Sequence, residues 1–281
     1  MKILRNFYYS LPPGLRYVAR QLASPAFLER RKYYNGIPLP KTGEIFTGRG
    51  NFLESGKTTV DNLRRFAGLT GQSAVLDLGS GLGRVAIPLT DVLDNGGEYH
   101  GVDIVESAIQ RCQQEVTKRY PHFHFYHTPV YNDLYNADGP GATDITLPFD
   151  NDSMDLAVAN SFFTHLLWEE TAFYLEKSAA YLKSGGAFYA SFFILDEENL
   201  EKATNAADQS GAFRFPYQDH NVYLMSQTVK RANVAYKKEK LFALLEDLGF
   251  TVENFFPGYW RGGNNKKAID FQDVLILRTT G

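Results

Sequence analysis

Val75-Leu76-Asp77-Leu78-Gly79-Ser80-Gly81-Leu82-Gly83-Arg84 is the stretch from which the architecture can be read. The apolar run Ala74 to Leu78 has the composition of a buried parallel strand. Three glycines at alternate positions follow at once, and Arg84-Val85-Ala86-Ile87-Pro88-Leu89 then has the look of a helix start. A strand that turns through glycines into a helix presents bare backbone to a ligand, because no Cβ holds it away. The helix end adds unpaired N–H groups and the positive end of a dipole. Such a turn suits a ligand with a negative or polar tail.

The glycine spacing narrows the ligand. Dinucleotide sites use G-x-G-x-x-G, and a P-loop closes on Gly-Lys-Ser/Thr. This chain has G-x-G-x-G and no such closure, with Asp77 two residues before the first glycine. Tyr99-His100-Gly101-Val102-Asp103-Ile104 reads as a second strand ending in a carboxylate, 24 residues after Gly79. An acid at that tip can accept hydrogen bonds from both ribose hydroxyls. That points to a nucleoside cofactor; a nicotinamide cofactor is left as the alternative.

The pattern Asp77-Leu78-Gly79-Ser80-Gly81-Leu82-Gly83 resembles the first motif of class I S-adenosylmethionine (SAM)-dependent methyltransferases. Leu147-Pro148-Phe149, leading through Ser153-Met154-Asp155, resembles the segment before the fourth strand in the type 11 group of that family. Tyr181-Leu182-Lys183-Ser184-Gly185-Gly186 is similar to its turn before the fifth strand, with Ser184 where proline is usual. The motifs stand in the family's order, and the likeness extends over roughly residues 45 to 280. It implies a Rossmann-like α/β fold with a mainly parallel seven-stranded sheet, order 3-2-1-4-5-7-6, helices on both faces and a closing hairpin. It implies a SAM-dependent methyltransferase with no metal, whose cofactor contacts come from Asp77, Gly79, Ser80, Gly81, Gly83, Arg84, Asp103, Ile104, Val130, Asn160 and Ser161. In the family the third strand's end supplies an acid to the adenine amino group. Here that position is Pro129, so adenine recognition falls to Thr128, Val130 or Asp144.

Composition is consistent with that implication. The 281 residues suffice for one full α/β core with additions. Basic and acidic residues number 29 and 32, so the net charge of −3 shows no nucleic-acid footprint. A single cysteine, Cys112, excludes an internal disulfide and fits a cytoplasmic protein. No metal-binding Cys/His spacing and no apolar run long enough to span a membrane is present. The start lacks the marks of a secretory signal.

Residues 1–32 differ in character. They hold seven basic residues and one acid, a charge of +6 that leaves −9 for the remainder. Aromatic and leucine residues interleave with the charges. Either this is a helix packed across the core, or a basic surface for an anionic membrane face or acceptor. Residues 1–45 are therefore read as an N-terminal helical extension, 46–281 as the methyltransferase domain, and 196–236 as an acceptor-site insert or lid.

Periodicity places helices at about 13–33, 52–68, 83–94, 105–120, 168–182 and 236–248. Strands are expected near 73–79, 97–104, 123–130, 154–160, 187–194, 249–256 and 271–278. The alternation indicates parallel strands with right-handed crossovers. Methyl transfer needs chiefly alignment and a dry cavity, and an oxygen acceptor also needs its proton removed. His165, just after the fourth strand, and His220, beside Asp219 in the insert, are the candidate bases. Either His165 acts so, or it packs on its neighbours. Phe46-Thr47-Gly48-Arg49-Gly50-Asn51-Phe52 and Gly258-Tyr259-Trp260-Arg261-Gly262 are expected to wall the acceptor pocket or to be ordinary turns. The expected function is methyl transfer to a small-molecule or glycan acceptor, a glycolipid included, most simply at oxygen. A nicotinamide oxidoreductase and a non-catalytic protein on this fold are the alternatives.

Overall fold

A computed structural model describes residues 11–12, 15–16, 29–46, 50–94, 96–205, 213–262 and 265–280. The chain divides into two compact units, Met1–Gly141 and Ala142–Gly281.

In the first unit, β1 (Ala74–Leu78), β2 (Glu98–Asp103) and β3 (Phe123–His127) run parallel, with Asp77 level with Gly101 and Asp103 with His127. Their inward side chains Leu76, Tyr99 and Phe123 are completely buried. Helix α1 (Phe52–Phe66) starts at Asn51, whose side chain accepts the Leu53 and Glu54 N–H groups. Its Gly56 is required by close approach: a Cβ there would stand 2.0 Å from the Arg84 carbonyl oxygen. Helix α2 (Glu106–Cys112) follows Asp103 and continues as a π-helical turn to Thr117.

The second unit holds β4 (Met154–Ala159), helix α3 (Trp168–Tyr181), β5 (Leu182–Phe192), helix α4 (Lys238–Asp247), β6 (Phe250–Phe256) and β7 (Asp273–Thr279). β4 and β5 are parallel, and β7 is antiparallel to both β5 and β6. Within the first unit the strand order is β1-β2-β3 and within the second β6-β7-β5-β4, in each case the order that the 3-2-1-4-5-7-6 arrangement implies.

Several sequence expectations are corrected. The helix expected over 83–94 is reduced to Ala86–Leu89, since left-handed glycines precede it and Pro88 lacks an N–H. The third strand stops at His127, before Pro129. The Ser184-Gly185-Gly186 turn is a bulge inside β5, where the pairing jumps from Leu182 to Ala187. The helix expected at 13–33 ends earlier, because Tyr33–Tyr34 pairs with Ile37–Pro38 in a hairpin; most of it lies outside the described residues. The described residues of 196–236 contribute strands to a second sheet. Ile194–Leu195, Val234–Lys237, Val222–Leu224 and Tyr217–Asp219 form a four-stranded sheet over a core of Phe193, Phe215, Tyr223 and Trp260.

Candidate active site

In the first unit the glycine turn leaves β1 with Gly79, Gly81 and Gly83 all in the left-handed region, at φ 77°, 53° and 80°. The Gly79 and Ser80 amides donate to the Val102 carbonyl at 2.9 and 3.0 Å, which fastens the turn to the end of β2. Asp103 completes the attachment. Its Oδ2 accepts the Gly81 N–H and its Oδ1 the Val105 N–H, each at 2.8 Å. Burial raises the Asp103 pKa, and these backbone donors oppose the rise. Each carboxylate oxygen has two acceptor positions, so the half-buried Asp103 retains capacity for a diol beside the turn. Ser80 Oγ is buried without a hydrogen-bond partner among the described residues. An orphan hydroxyl, a turn with glycine at every other position and a pre-aimed carboxylate together fit the polar end and ribose of SAM.

Asp77 lies deeper. It is 2% exposed and accepts a hydrogen bond from the Tyr99 hydroxyl at 2.5 Å. Burial pushes its pKa up to about 7, against that hydrogen bond and helped by the nearby Asp103 charge. Tyr99 was not singled out by sequence reasoning; its register one residue past Glu98, inward on β2, is the signal that could have found it. Arg84 turns toward α1, with Nη1 2.7 Å from Ser55 Oγ and the guanidinium 4.7 Å from the Phe52 ring centre. In this position it ties helix to turn. Ile104 accepts at its carbonyl from the His127 ring (3.2 Å), and the Val130 amide donates to Thr128 O at 2.8 Å. The Val130 N–H is thus engaged internally, and Thr128 is the adjacent side chain that can both donate and accept.

In the second unit, Asn160 and Ser161 follow β4 directly. Ser161 holds φ 60°, a costly conformation for a residue with a side chain. Its amide donates to Ser191 Oγ at 2.7 Å, and Ser191 Oγ lies 2.7 Å from Gln272 Oε1. Thr164 Oγ1 donates back to the Ser161 carbonyl at 3.1 Å. Ser191 and Thr164 are fully buried, so the strained turn is held by a dry polar network. Asp144 is exposed in a short helical turn of the same unit.

His165 ends the turn Phe163–His165, with Nδ1 2.9 Å from the Arg231 carbonyl oxygen. Burial lowers its pKa, partly offset by the Arg231 and Ala232 carbonyls. The imidazole is therefore neutral near neutral pH, the state a general base requires. His220 differs: its side chain is 87% exposed at a hairpin tip, where it pairs with Asp219 at 2.9 Å. An exposed ring has none of the enclosure a base in a dry cavity needs. The Gly258–Gly262 segment is tied to Asp273, whose carboxylate accepts from Gly258 N, Trp260 Nε1, Arg261 Nε and Ile194 N at 2.6–2.9 Å. Thr47, Gly48 and Arg49 lie outside the described residues. Among the described residues no cluster of three or more His, Cys, Asp or Glu could hold a metal ion. No described helix is long and apolar enough to cross a membrane.

Comparison with known proteins agrees with the geometry. Residues 76–188 match the family model of a methyltransferase domain, a span that includes the glycine turn, Asp103, β4 and most of β5. A SAM-dependent methyltransferase from Methanosarcina mazei superposes with a TM-score of 0.51 at 20% identity, covering 77% of this chain and 96% of its own. A protein from Pyrococcus horikoshii gives 0.53 at 19%, with 80% and 89% covered. The 4+2 cyclase SpnF gives 0.53 at 15%, with 94% and 91% covered. At these identities the likeness establishes the fold.

Proposed function

We propose that this chain, whose residues 76–188 match the family model of a methyltransferase domain, is a class I SAM-dependent methyltransferase and that it methylates an oxygen of a small-molecule or glycan acceptor. The observation that carries the cofactor half is the Asp103 carboxylate, held at 2.8 Å by the Gly81 and Val105 amides beside the glycine turn. Two fixed donors orient both oxygens before any ligand arrives, so little ordering remains when the ribose binds. The alternate glycine spacing speaks against a nicotinamide cofactor. We assign Thr128 to the adenine edge in place of the acid that Pro129 replaces.

The acceptor half rests on His165. SAM supplies an electrophilic sulfonium methyl. Held beside Asp103 and the Gly79–Gly83 turn, it would supply that methyl group for transfer to the acceptor oxygen. The hydroxyl proton passes to His165 Nε2, the nitrogen left basic when Nδ1–H is donated to Arg231 O. The basic residues 1–32 are proposed to bring the enzyme to the anionic inner face of a membrane, which suits a glycolipid acceptor.

The cofactor assignment is tested by calorimetry with S-adenosylhomocysteine and by thermal shift against NADH. Saturable binding of the former alone is expected; stabilisation by NADH alone overturns the assignment.

A further inference from the structure

We propose that Arg231, anchored by Glu170, is a positioning residue that sets the tautomer and orientation of the His165 imidazole. This rests on the reading of His165 as the base. A carbonyl oxygen can only accept, so the 2.9 Å contact to Arg231 O requires the proton on Nδ1. Nε2 is then the basic nitrogen, and the ring plane is fixed by the direction of that carbonyl. A backbone carbonyl in a loop fixes nothing unless it is itself fixed, and the Arg231 side chain does this. Its guanidinium forks onto the Glu170 carboxylate, Nε at 3.1 and 3.0 Å from the two oxygens and Nη2 at 2.7 Å from Oε1. The two side chains are only 12% and 11% exposed. A planar, bidentate, nearly buried pair of this kind has one geometry.

Glu170 cannot drift either. Its Oε2 also accepts the Leu167 N–H at 2.8 Å, closing the start of α3. From the other side the Tyr236 hydroxyl stands 2.7 Å from both the Phe163 and Leu166 carbonyls, bracketing the His165 turn, and 2.8 Å from Thr171 Oγ1. Arg231 and Tyr236 both belong to the 196–236 insert. The insert therefore carries the alignment of the base in addition to any role as a lid. The pattern is that of an imidazole whose chemistry is chosen by the hydrogen bond on its far nitrogen.

The test is long-range nitrogen NMR of the histidine rings in the full chain, with His165→Ala identifying the signal. The parent is expected to show a single neutral tautomer with the proton on Nδ1. Glu170→Gln keeps an oxygen for the Leu167 cap but breaks the ion pair, and Arg231→Lys keeps the charge but loses the fork. Both are expected to move the His165 nitrogen shifts toward the average of the two tautomers; Lys230→Ala, at an exposed neighbour, is expected to leave them in place. Either of two results overturns the inference: folded variants with parental shifts, or a parent ring protonated on Nε2, a result that needs no variant to fold. Failure of the base reading is seen separately, as full turnover by His165→Ala, and leaves the NMR result intact.

Discussion

Replacing Asp77 by Asn is expected to stabilise the protein above neutral pH while weakening the cofactor site. The Asp77 carboxyl is 2% exposed, and burial raises its pKa from 3.8 to about 7. A folded-state pKa above the unfolded value means the folded chain binds the proton more tightly. The stability this provides is complete below the unfolded pKa and is lost as pH rises through the folded one. A rise of about three units, at about 1.4 kcal/mol each, corresponds to roughly 4 kcal/mol lost between about pH 4 and about pH 8. Asparagine has nearly the same shape, and its carbonyl oxygen still accepts from Tyr99, yet it carries no charge to desolvate. The stability difference between variant and parent should thus be near zero at about pH 4 and grow to about 2–4 kcal/mol at about pH 8, relaxation around the charge accounting for the lower figure. Urea unfolding of both proteins across this range measures it, and titrations of groups not coupled to Asp77 cancel in the difference. A difference independent of pH, or a variant less stable than the parent at about pH 8, refutes the reasoning. S-adenosylhomocysteine affinity should fall in the same variant, the pattern of a site that gives up stability for function.

Asp103→Ala should cost about 1–3 kcal/mol of S-adenosylhomocysteine affinity by calorimetry, since the ribose acceptor and the Gly81 anchor go together; unchanged affinity removes Asp103 from the site. Gly83→Ala places a Cβ at φ 80° and 3.3 Å from Cys112 Sγ, so a loss of about 1–2 kcal/mol in urea unfolding is expected, and a neutral result means the turn can rearrange. Asp273→Asn should destabilise by about 3–5 kcal/mol, because Arg261 loses half its pairing in a buried setting. Hydrogen exchange should locate the opening at Ile194 and Gly258, and protection unaltered there contradicts the assignment. Deleting residues 1–32 should abolish sedimentation with anionic liposomes, and equal sedimentation of both forms ends the membrane proposal.

The proposed cofactor half of the site is legible in the sequence because it is local. Gly79, Gly81 and Gly83 announce a left-handed turn by their lack of a Cβ, and Asp103 announces itself by its distance from that turn along a βαβ unit. The segment at 258–262 was legible as a candidate wall or an ordinary turn, but not in its anchorage to Asp273. The position of His165 after β4 was legible as well, but its tautomer was not. That depends on the carbonyl of Arg231, 66 residues away in the chain. The exposure of His220 and the inward turn of Arg84 onto Phe52 and Ser55 were equally hidden, since a sequence shows which residue is present and not what it faces.

By itself the sequence determined the class of fold, the strand order implied by its motifs and the identity of the methyl donor. The fold class follows from residue type at short spacing, from apolar runs, glycines where φ must be positive and a carboxylate at a strand tip, whereas the strand order and the methyl donor follow from the resemblance of those motifs to a known family. Only the tertiary structure decided that Asp77 is a buried acid bonded to Tyr99, that Ser161 is held in strain by Ser191, and that Arg231 and Glu170 aim His165. These depend on burial and on hydrogen bonds between residues far apart in the chain, and both come into existence when the chain packs.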